Sequence, residues 1–253
     1  MNSTNHEQYL APCCKIAREA GALIMRYFSG DFATRHKDDK SPVTDADIAA
    51  NAHIIRALSA LTPQIPAIAE EDEVLPASQA GMFWLVDPLD GTRSFVRGEP
   101  EFTVNIGLIS DHKPMLGVIY APPQNLLYYG GAGLGAWREK TPGQPETIRA
   151  RTPDSEGLVV VRSRSHPSKA ADEYLKSLRI KEMIPGSSSI KLCMLAEGSA
   201  DMYPRFGRTM EWDTAAGHAI LNEAGGRIET TDGKPLSYGK PHFENPHFIA
   251  YGR

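Results

Sequence analysis

Residues 84–95, WLVDPLDGTRSF, place two aspartates three positions apart at the end of an apolar run, followed at once by glycine and threonine. Two carboxylates this close make each other's ionisation costly unless a counter-charge stands beside them. A hard divalent cation meets that need, because Mg²⁺ takes a few carboxylates, keeps several waters and accepts phosphate oxygens as its remaining ligands. Asp87 and Asp90 are therefore candidate metal ligands, and the Leu89 carbonyl between them is a further oxygen. If a helix begins at Gly91 or Thr92, its unpaired N–H groups face an anion favourably. Gly91 also lets the backbone approach a ligand with no Cβ in the way. Asp-Gly alone reads as an ordinary turn; the whole segment reads as a site.

Acids recur in three other segments where a strand ends or a helix begins: TDAD with Asp45 and Asp47, AEED with Glu70, Glu71 and Asp72, and EWD with Glu211 and Asp213. Any one of these is adequately explained by the favourable energy of an acid at a helix N-terminus. Four such segments together point to a site, since strand and helix ends gather where mixed α and β folds bind ligands.

The elements that must bring these residues together follow from periodicity. Leu10, Cys13, Ile16, Ala17, Ala20, Leu23, Ile24 and Tyr27 recur at spacings of three and four, which predicts an amphipathic helix over residues 7–28. A polar connection leads to a second helix, with Thr44 as N-cap and Asp47 in capping-box position. The runs AIAEED, FWLVDP, FTVNIGLIS, PMLGVIYAP, LLYYGG and GAWRE read as strands, mostly antiparallel neighbours because their links are too short for crossover helices. The Pro- and Gly-rich stretch around residues 140–157 divides the chain into an α+β lobe, 1–150, with most candidate metal ligands, and an α/β lobe, 151–253, carrying Asp213. In the second lobe LVVVRS and HFIAYG read as strands, and PSKAADEYLKSL, SSSIKLCMLA and EWDTAAGHAILNEAGG as helices, the last closed by Gly225 and Gly226.

Bulk properties narrow the partners. The chain has 253 residues and a formal net charge of −4, which argues against binding nucleic acid through its phosphate backbone. The N-terminus lacks the basic start and apolar run of a signal peptide, and no stretch is long and apolar enough to span a bilayer. Cys13, Cys14 and Cys193 suit small apolar packing residues in a reducing compartment, so a cytoplasmic location is expected. Peripheral contact with the inner face of the cell membrane and the oligomeric state are left open.

The segments SPVTDAD, AEED, WLVDPLDGTRSFVRGEPEFTVNIGLI, GVIYAP and EWDTAAGHAIL resemble those of the inositol monophosphatase superfamily of magnesium-dependent, lithium-sensitive phosphatases. Within it the chain is most similar to the CysQ-type 3'(2'),5'-bisphosphate nucleotidases. The resemblance implies a mixed α and β fold, a layered αβαβα sandwich of the inositol monophosphatase/fructose-1,6-bisphosphatase type, with the site between its halves. It implies that Glu70, Asp87, the Leu89 carbonyl, Asp90 and Asp213 hold two or three Mg²⁺ ions, and that Asp47 helps position the attacking water. Asp45 stands where relatives often carry another residue, and Asp47 is the favoured aspartate of the pair.

For such a phosphatase, direct attack by water is expected, with Thr92, Asp47 and Glu70 orienting it and taking its proton. The implied substrate is adenosine 3',5'-bisphosphate, hydrolysed to AMP and phosphate, with a sulfated analogue and a role in sulfur assimilation as extensions. Glu70, Leu89, Asp90, Gly91, Thr92 and Asp213 would surround the scissile phosphate. A second phosphate and a base call for cations and hydroxyls in the second lobe, which RSRSH, GSSSIK and YPRFGR supply. His166, Ser188, Lys191 and Arg205 match positions that contact substrate in bisphosphate nucleotidases. An inositol phosphate or a sugar bisphosphate is the competing substrate, and a non-catalytic phosphate sensor the remote alternative. Trp212 and His218 are read as packing residues.

Overall fold

The computed structural model describes residues 6–30, 32–36, 42–72, 74–76, 78–164 and 168–253. The two N-terminal helices form as the spacing predicts: α1 (Glu7–Phe28) and α2 (Asp45–Leu61). The polar connection between them contains a short antiparallel pair, β1 (Thr34–His36) and β2 (Pro42–Thr44), which the sequence reading missed. Three-residue strands carry no alternation long enough to read.

A seven-stranded sheet follows in the order β3 (Ala67–Ala69), β4 (Met82–Asp90), β5 (Thr103–Ser110), β6 (Lys113–Ala121), β7 (Leu126–Gly131), β8 (Gly135–Lys140) and β9 (Glu146–Thr147). From β4 to β9 it is an antiparallel meander, as the short links require, and only β3 runs parallel to its neighbour. A one-turn helix, α3 (Thr92–Val96), leaves the end of β4.

The second sheet comprises β10 (Leu158–Ser163), β11 (Ile180–Gly186), β12 (Met202–Arg205), β13 (Arg227–Thr230) and β14 (Phe248–Tyr251), in the order β11-β10-β12-β14-β13. Its β10 pairings are parallel and its β14 pairings antiparallel. Strand β11 was not anticipated; as an edge strand it mixes Lys181 and Glu182 with apolar residues and so hides the two-residue period. The helices of this half are α4 (Lys169–Leu175), α5 (Ile190–Ala196) and α6 (Ala215–Glu223). The acids of EWD form a separate 3-10 turn, Glu211–Asp213, ahead of α6 rather than its first turn.

Burial assigns the layers. Trp84 and Val86 pack with α1 and α2 residues such as Ile24, Ile54 and Leu58, whereas Phe83 and Leu85 pack on the opposite side with Leu192, Leu195 and Ile220 from α5 and α6. Those two helices also bury Val161, Tyr203 and Phe248 of the second sheet. Val160 and Met202 turn outward to meet Leu175 of α4. The result is the expected αβαβα sandwich, and the uninterrupted apolar run FWLV reflects a strand covered on both faces. Among the described residues no helix is long and apolar enough to cross a membrane. Cys13 and Cys193 are buried, and all three cysteines are free, in keeping with a packing role.

One close approach governs where α6 sits. Gly107 and Gly117 are cross-strand partners on β5 and β6, and a Cβ on them would meet Ala215 Cβ at 2.8 Å and the Ala216 carbonyl oxygen at 2.0 Å, respectively. The paired glycines form a flat seat for the start of α6, and hence for Asp213 just before it. Gly117→Ala is expected to lower stability by about 1–3 kcal/mol, because the obstructing atom is backbone and cannot swing aside. Thermal unfolding checks this, with a fall in Tm of roughly 2–4 °C per kcal/mol in a domain of this size.

Candidate functional site

Asp87 and Asp90 are three residues apart, so regular pleating would point them to opposite faces. The pairing with β5 removes that conflict: Asp87 lies opposite Asn105 and Asp90 opposite Thr103, so β4 uses one extra residue over the span. This bulge at Pro88 and Leu89, rather than the turn expected from the sequence, brings both aspartates to one cleft. Gly91 follows with φ +98°, and a Cβ there would lie 2.7 Å from the Glu101 carbonyl oxygen, so only glycine fits.

Parallel pairing of β3 with β4 sets Ala69 against Val86, which carries Glu70 alongside Asp87. The Glu70 N–H donates to the Val86 carbonyl at 3.0 Å. Asp72 closes the turn behind it by accepting from the Ala69 N–H at 2.8 Å. Asp213 arrives from the 3-10 turn, its carboxylate accepting from the Met210 N–H at 2.8 Å. Oxygens of Glu70, Asp87 and Asp213 then lie within 4.8 Å of one another. Asp90 stands outside that trio but lines the same cleft, its Oδ2 2.7 Å from each of the hydroxyls of Ser188 and Ser189.

Burial raises the Asp87 carboxyl well above its ordinary range, and the charges of Glu70, Asp90, Asp213 and Glu71 push it further. Burial, then Asp90 and Glu70, lifts Asp213 to about 8. Neither aspartate forms a salt bridge with any described residue. Hard divalent ions fit an all-oxygen cluster of this kind, where softer metals would favour nitrogen or sulfur ligands. The residues expected to hold Mg²⁺ therefore suit it.

On the other side of β4, Asp47 is 1 % exposed. Its Oδ2 accepts from the Thr44 N–H at 2.7 Å and the Thr44 hydroxyl at 2.5 Å, and its Oδ1 lies 3.1 Å from the Thr92 hydroxyl. Thr92 Oγ1 is also 3.0 Å from the Leu89 carbonyl oxygen. Burial raises the Asp47 carboxyl, with the Thr44 and Thr92 hydrogen bonds opposing. Asp45 turns away to Arg35 at 3.5 Å, so Asp47 is the aspartate of TDAD that reaches the cleft residues.

The far wall of the cleft comes from the second half. Lys191 and Arg205 are both buried rather than solvated, and neither has a carboxylate partner among the described residues. Lys191 Nζ donates to the Ser188 carbonyl at 2.5 Å and stands 5.4 Å from the Tyr203 ring centre. Burial lowers its ammonium to about 8, with Asp90 opposing. Arg205 donates to the Arg208 carbonyl at 2.8 Å, while its Nε is buried without a partner. Ser188 has φ +53°, a strained value for serine, and there its hydroxyl meets Thr103 at 2.6 Å as well as Asp90. At the rim, Glu101 accepts from both Arg164 and Ser187, joining the two halves. His166 lies outside the described residues.

Sequence reasoning missed two polar residues, Thr103 and Asn105, and took Ser189 of GSSSIK for a hydroxyl facing the substrate, whereas all three are buried. The signal was present in FTVNIGLIS, where Thr103 and Asn105 share one strand face in an otherwise apolar run. Glu211, by contrast, does not line the cleft. Fully buried, it accepts from the Gly239 N–H at 2.6 Å and pairs with Lys240 at 2.7 Å, anchoring the turn that carries Asp213. His218 is buried against Tyr238, as a packing residue would be.

The raised carboxyls set a pH dependence. Asp87 and Asp213 keep their protons to higher pH in the fold than in the unfolded chain, so their contribution to stability is present below pH ~4 and is lost as pH climbs, for Asp213 toward about 8. In EDTA, unfolding is expected to become easier over that range. Mg²⁺ is expected to raise Tm more at pH ~8 than at pH ~6, because binding must displace those protons. Thermal melts at the two pH values, with and without Mg²⁺, check the sign.

The inositol monophosphatase family model matches residues 5–248. A 3'(2'),5'-bisphosphate nucleotidase CysQ from Salmonella typhimurium is 45 % identical over 246 residues, 94 % of this chain and 98 % of that protein. The CysQ of Escherichia coli is 46 % identical over 242 residues, 93 % of this chain and 96 % of that protein. Among solved structures, CysQ from Bacteroides thetaiotaomicron, described as a bacterial member of the inositol monophosphatase family, superposes with a TM-score of 0.83 at 32 % identity, covering 99 % of both chains. The inositol monophosphatase of Anabaena superposes with a TM-score of 0.78 at 29 % identity, covering 98 % of this chain and 92 % of that one. With the family model spanning nearly its whole length and its layers and acidic cluster as described, this chain belongs to the inositol monophosphatase family.

Proposed function

We propose that this protein is a Mg²⁺-dependent 3'(2'),5'-bisphosphate nucleotidase that hydrolyses the 3'-phosphate of adenosine 3',5'-bisphosphate to give AMP and phosphate. The observation that carries the reading is the pairing of opposite charges across one cleft. An acidic trio, Glu70, Asp87 and Asp213, faces two buried cations, Lys191 and Arg205, that have no carboxylate partner among the described residues. A ligand with two separated phosphates would answer both, one phosphate on the side of the acids, which would hold the metal, and one on the cations directly. The cleft volume of about 880 Å³ accommodates a nucleotide. The names of the CysQ relatives point the same way. The division into lobes 1–150 and 151–253 belongs to the same proposal, with most metal ligands in the first and Asp213 and the second anion site in the other. Sulfur metabolism, action on the sulfated analogue and a cytoplasmic location extend it.

Divalent ions held by Glu70, Asp87, the Leu89 carbonyl, Asp90 and Asp213 supply charge neutralisation at the phosphoryl oxygens and acidify water. The chain's own residues do the rest. Thr92 has one hydroxyl proton; with that proton on Asp47, its lone pairs accept from a water and aim it. Asp47, desolvated and raised, is a stronger base than an exposed aspartate and takes the proton through Thr92. Glu70 orients the water from the metal side. Gly91 and Thr92 N–H groups, with Ser188, face the phosphate, and Lys191, Arg205 and His166 bind the rest of the nucleotide.

Phosphate release from adenosine 3',5'-bisphosphate and from inositol 1-phosphate, with and without Mg²⁺ and Li⁺, tests the reading. The nucleotide is the expected substrate, with release abolished by chelation or by Asp90→Asn. Lys191→Ala and Arg205→Ala are expected to raise KM for the nucleotide by roughly 10- to 100-fold, the scale of a lost charge-assisted hydrogen bond, and to leave inositol phosphate kinetics nearly unchanged. Asp47→Asn is expected to lower kcat by about 10²–10⁴-fold at similar KM, as for a lost general base. Preference for inositol 1-phosphate over the nucleotide would overturn the substrate assignment.

A further inference from the structure

Asp90 differs from the other acids of the cleft because it is gripped by side chains of the opposite half. Its Oδ2 lies 2.7 Å from two hydroxyls, Ser188 and Ser189, and no hydrogen bond from a described residue reaches its Oδ1. A carboxylate tied through one oxygen has a fixed rotation about its last bond and presents the other oxygen in a defined direction. The two serines have different supports. Ser188 is at the cleft surface and belongs to the proposed substrate contacts, whereas Ser189 is 4 % exposed and its hydroxyl faces inward.

Ser189 sits at a junction. Its Oγ is 2.8 Å from Asn105 Nδ2, 2.7 Å from Asp90 Oδ2 and 2.9 Å from the Asp213 carbonyl oxygen. One hydroxyl has one proton and two lone pairs. The Asn105 amide can only donate along its Nδ2 edge, so it occupies a lone pair of Ser189 and leaves the proton for Asp90 or the Asp213 carbonyl. The amide's orientation is fixed in turn by Thr103, whose hydroxyl donates to Asn105 Oδ1 at 3.0 Å; with that proton used, Ser188 is the donor in its 2.6 Å contact with Thr103, and Ser189 is the hydroxyl left for Asp90. A flipped amide would set its oxygen against Ser189, draw that proton away and leave Asp90 with Ser188 alone. Thr103 and Asn105 are also the direct cross-strand partners of Asp90 and Asp87. Strand β5 therefore touches both aspartates through its backbone and one of them again through Ser189.

We propose that Ser189, polarised by Asn105, is a positioning residue for the metal ligands. With the one proton that Asn105 leaves it, Ser189 fixes the rotation of Asp90 beside the backbone of Asp213, so that acids from the two halves are presented together before any ion arrives. The inference rests on the metal-dependent reading above, but it concerns this chain's own hydrogen bonds and has a readout that does not need turnover.

The test is Mn²⁺ binding to the full chain without substrate, by titration calorimetry or by loss of the free-ion paramagnetic signal, for Ser189→Ala, Asn105→Ala and the double variant. Outer partners of metal ligands typically account for about 10- to 100-fold in affinity, so each single variant is expected to weaken Mn²⁺ by at least about tenfold. The double variant is expected to be no weaker than Ser189→Ala alone, because Asn105 acts through Ser189. Ser189→Thr, which keeps the hydroxyl, is expected to restore most of the affinity. Melting temperature in EDTA separates folding from binding: a merely structural role would lower it in each variant and would add in the double. Parent-like Mn²⁺ affinity in Ser189→Ala, additive losses in the double variant, or no Mn²⁺ binding by the parent would each overturn the proposal. Mn²⁺ binding by the parent without release of phosphate from the nucleotide would overturn the functional reading alone.

Discussion

Mutual repulsion among carboxylates in a water-poor place is the constraint on which the rest of this molecule depends. Asp87 is 1 % exposed, with oxygens of Glu70 and Asp213 within 4.8 Å of its own. Bringing charges of one sign together in a medium less polar than water costs far more than any single surface ion pair returns. The fold has to hold them there by force of packing. Each is accordingly mounted on something stiff: Glu70 and Asp87 on neighbouring strand ends, Asp213 on a turn clamped by buried Glu211, which pairs with Lys240. A divalent ion entering the cluster would recover that cost, and its binding would be linked to folding through the same oxygens.

Charge in the cleft is segregated by layer. The acids come mainly from the end of the seven-stranded sheet, and the buried cations from α5 and β12 in the other half. Lys191 and Arg205 would normally be drawn to the nearest carboxylate. Instead Lys191 donates to the Ser188 carbonyl and Arg205 to the Arg208 carbonyl, contacts that hold the side chains without cancelling their charge. Hydroxyl groups of Ser188 and Ser189 occupy the approach to Asp90 that an ammonium would otherwise take. A cleft arranged this way keeps both signs of charge available to a ligand, which is the physical basis for reading it as a candidate ligand site rather than a stabilising ion-pair network.

Small residues do the positioning that larger ones could not. The cross-strand pair Gly107 and Gly117 lets α6 approach the first sheet closely, and that approach is what delivers Asp213 from the second half to the strand ends of the first. Gly91, with its positive φ, then turns the chain from the bulged strand into α3, so that Thr92 comes within reach of Asp47. One substitution at either place disturbs geometry far from its own atoms, since the element displaced carries a charged residue.

The sequence by itself determined most of the elements and the list of acids. Period-four apolar spacing fixed α1, the short links of the first half required an antiparallel meander, and VDPLDGT together with AEED and EWD marked a divalent-ion site. These are local properties: a helix face, a link length and a charge pattern all act over a few residues. What only the tertiary structure decided is which of the acids meet. That Asp47 rather than Asp45 reaches Thr92, that Glu211 is an anchor and not a ligand, and that a bulge rather than a turn aligns Asp87 with Asp90 all depend on register between strands far apart in the chain. Thr103 and Asn105 escaped notice for the same reason, and Ser189 was read as a hydroxyl for the substrate rather than as a partner of Asp90. Hydroxyl and amide groups carry no charge to mark them in a sequence, and they acquire a role only when packing removes water and leaves each other, and Asp90, as their hydrogen-bonding partners.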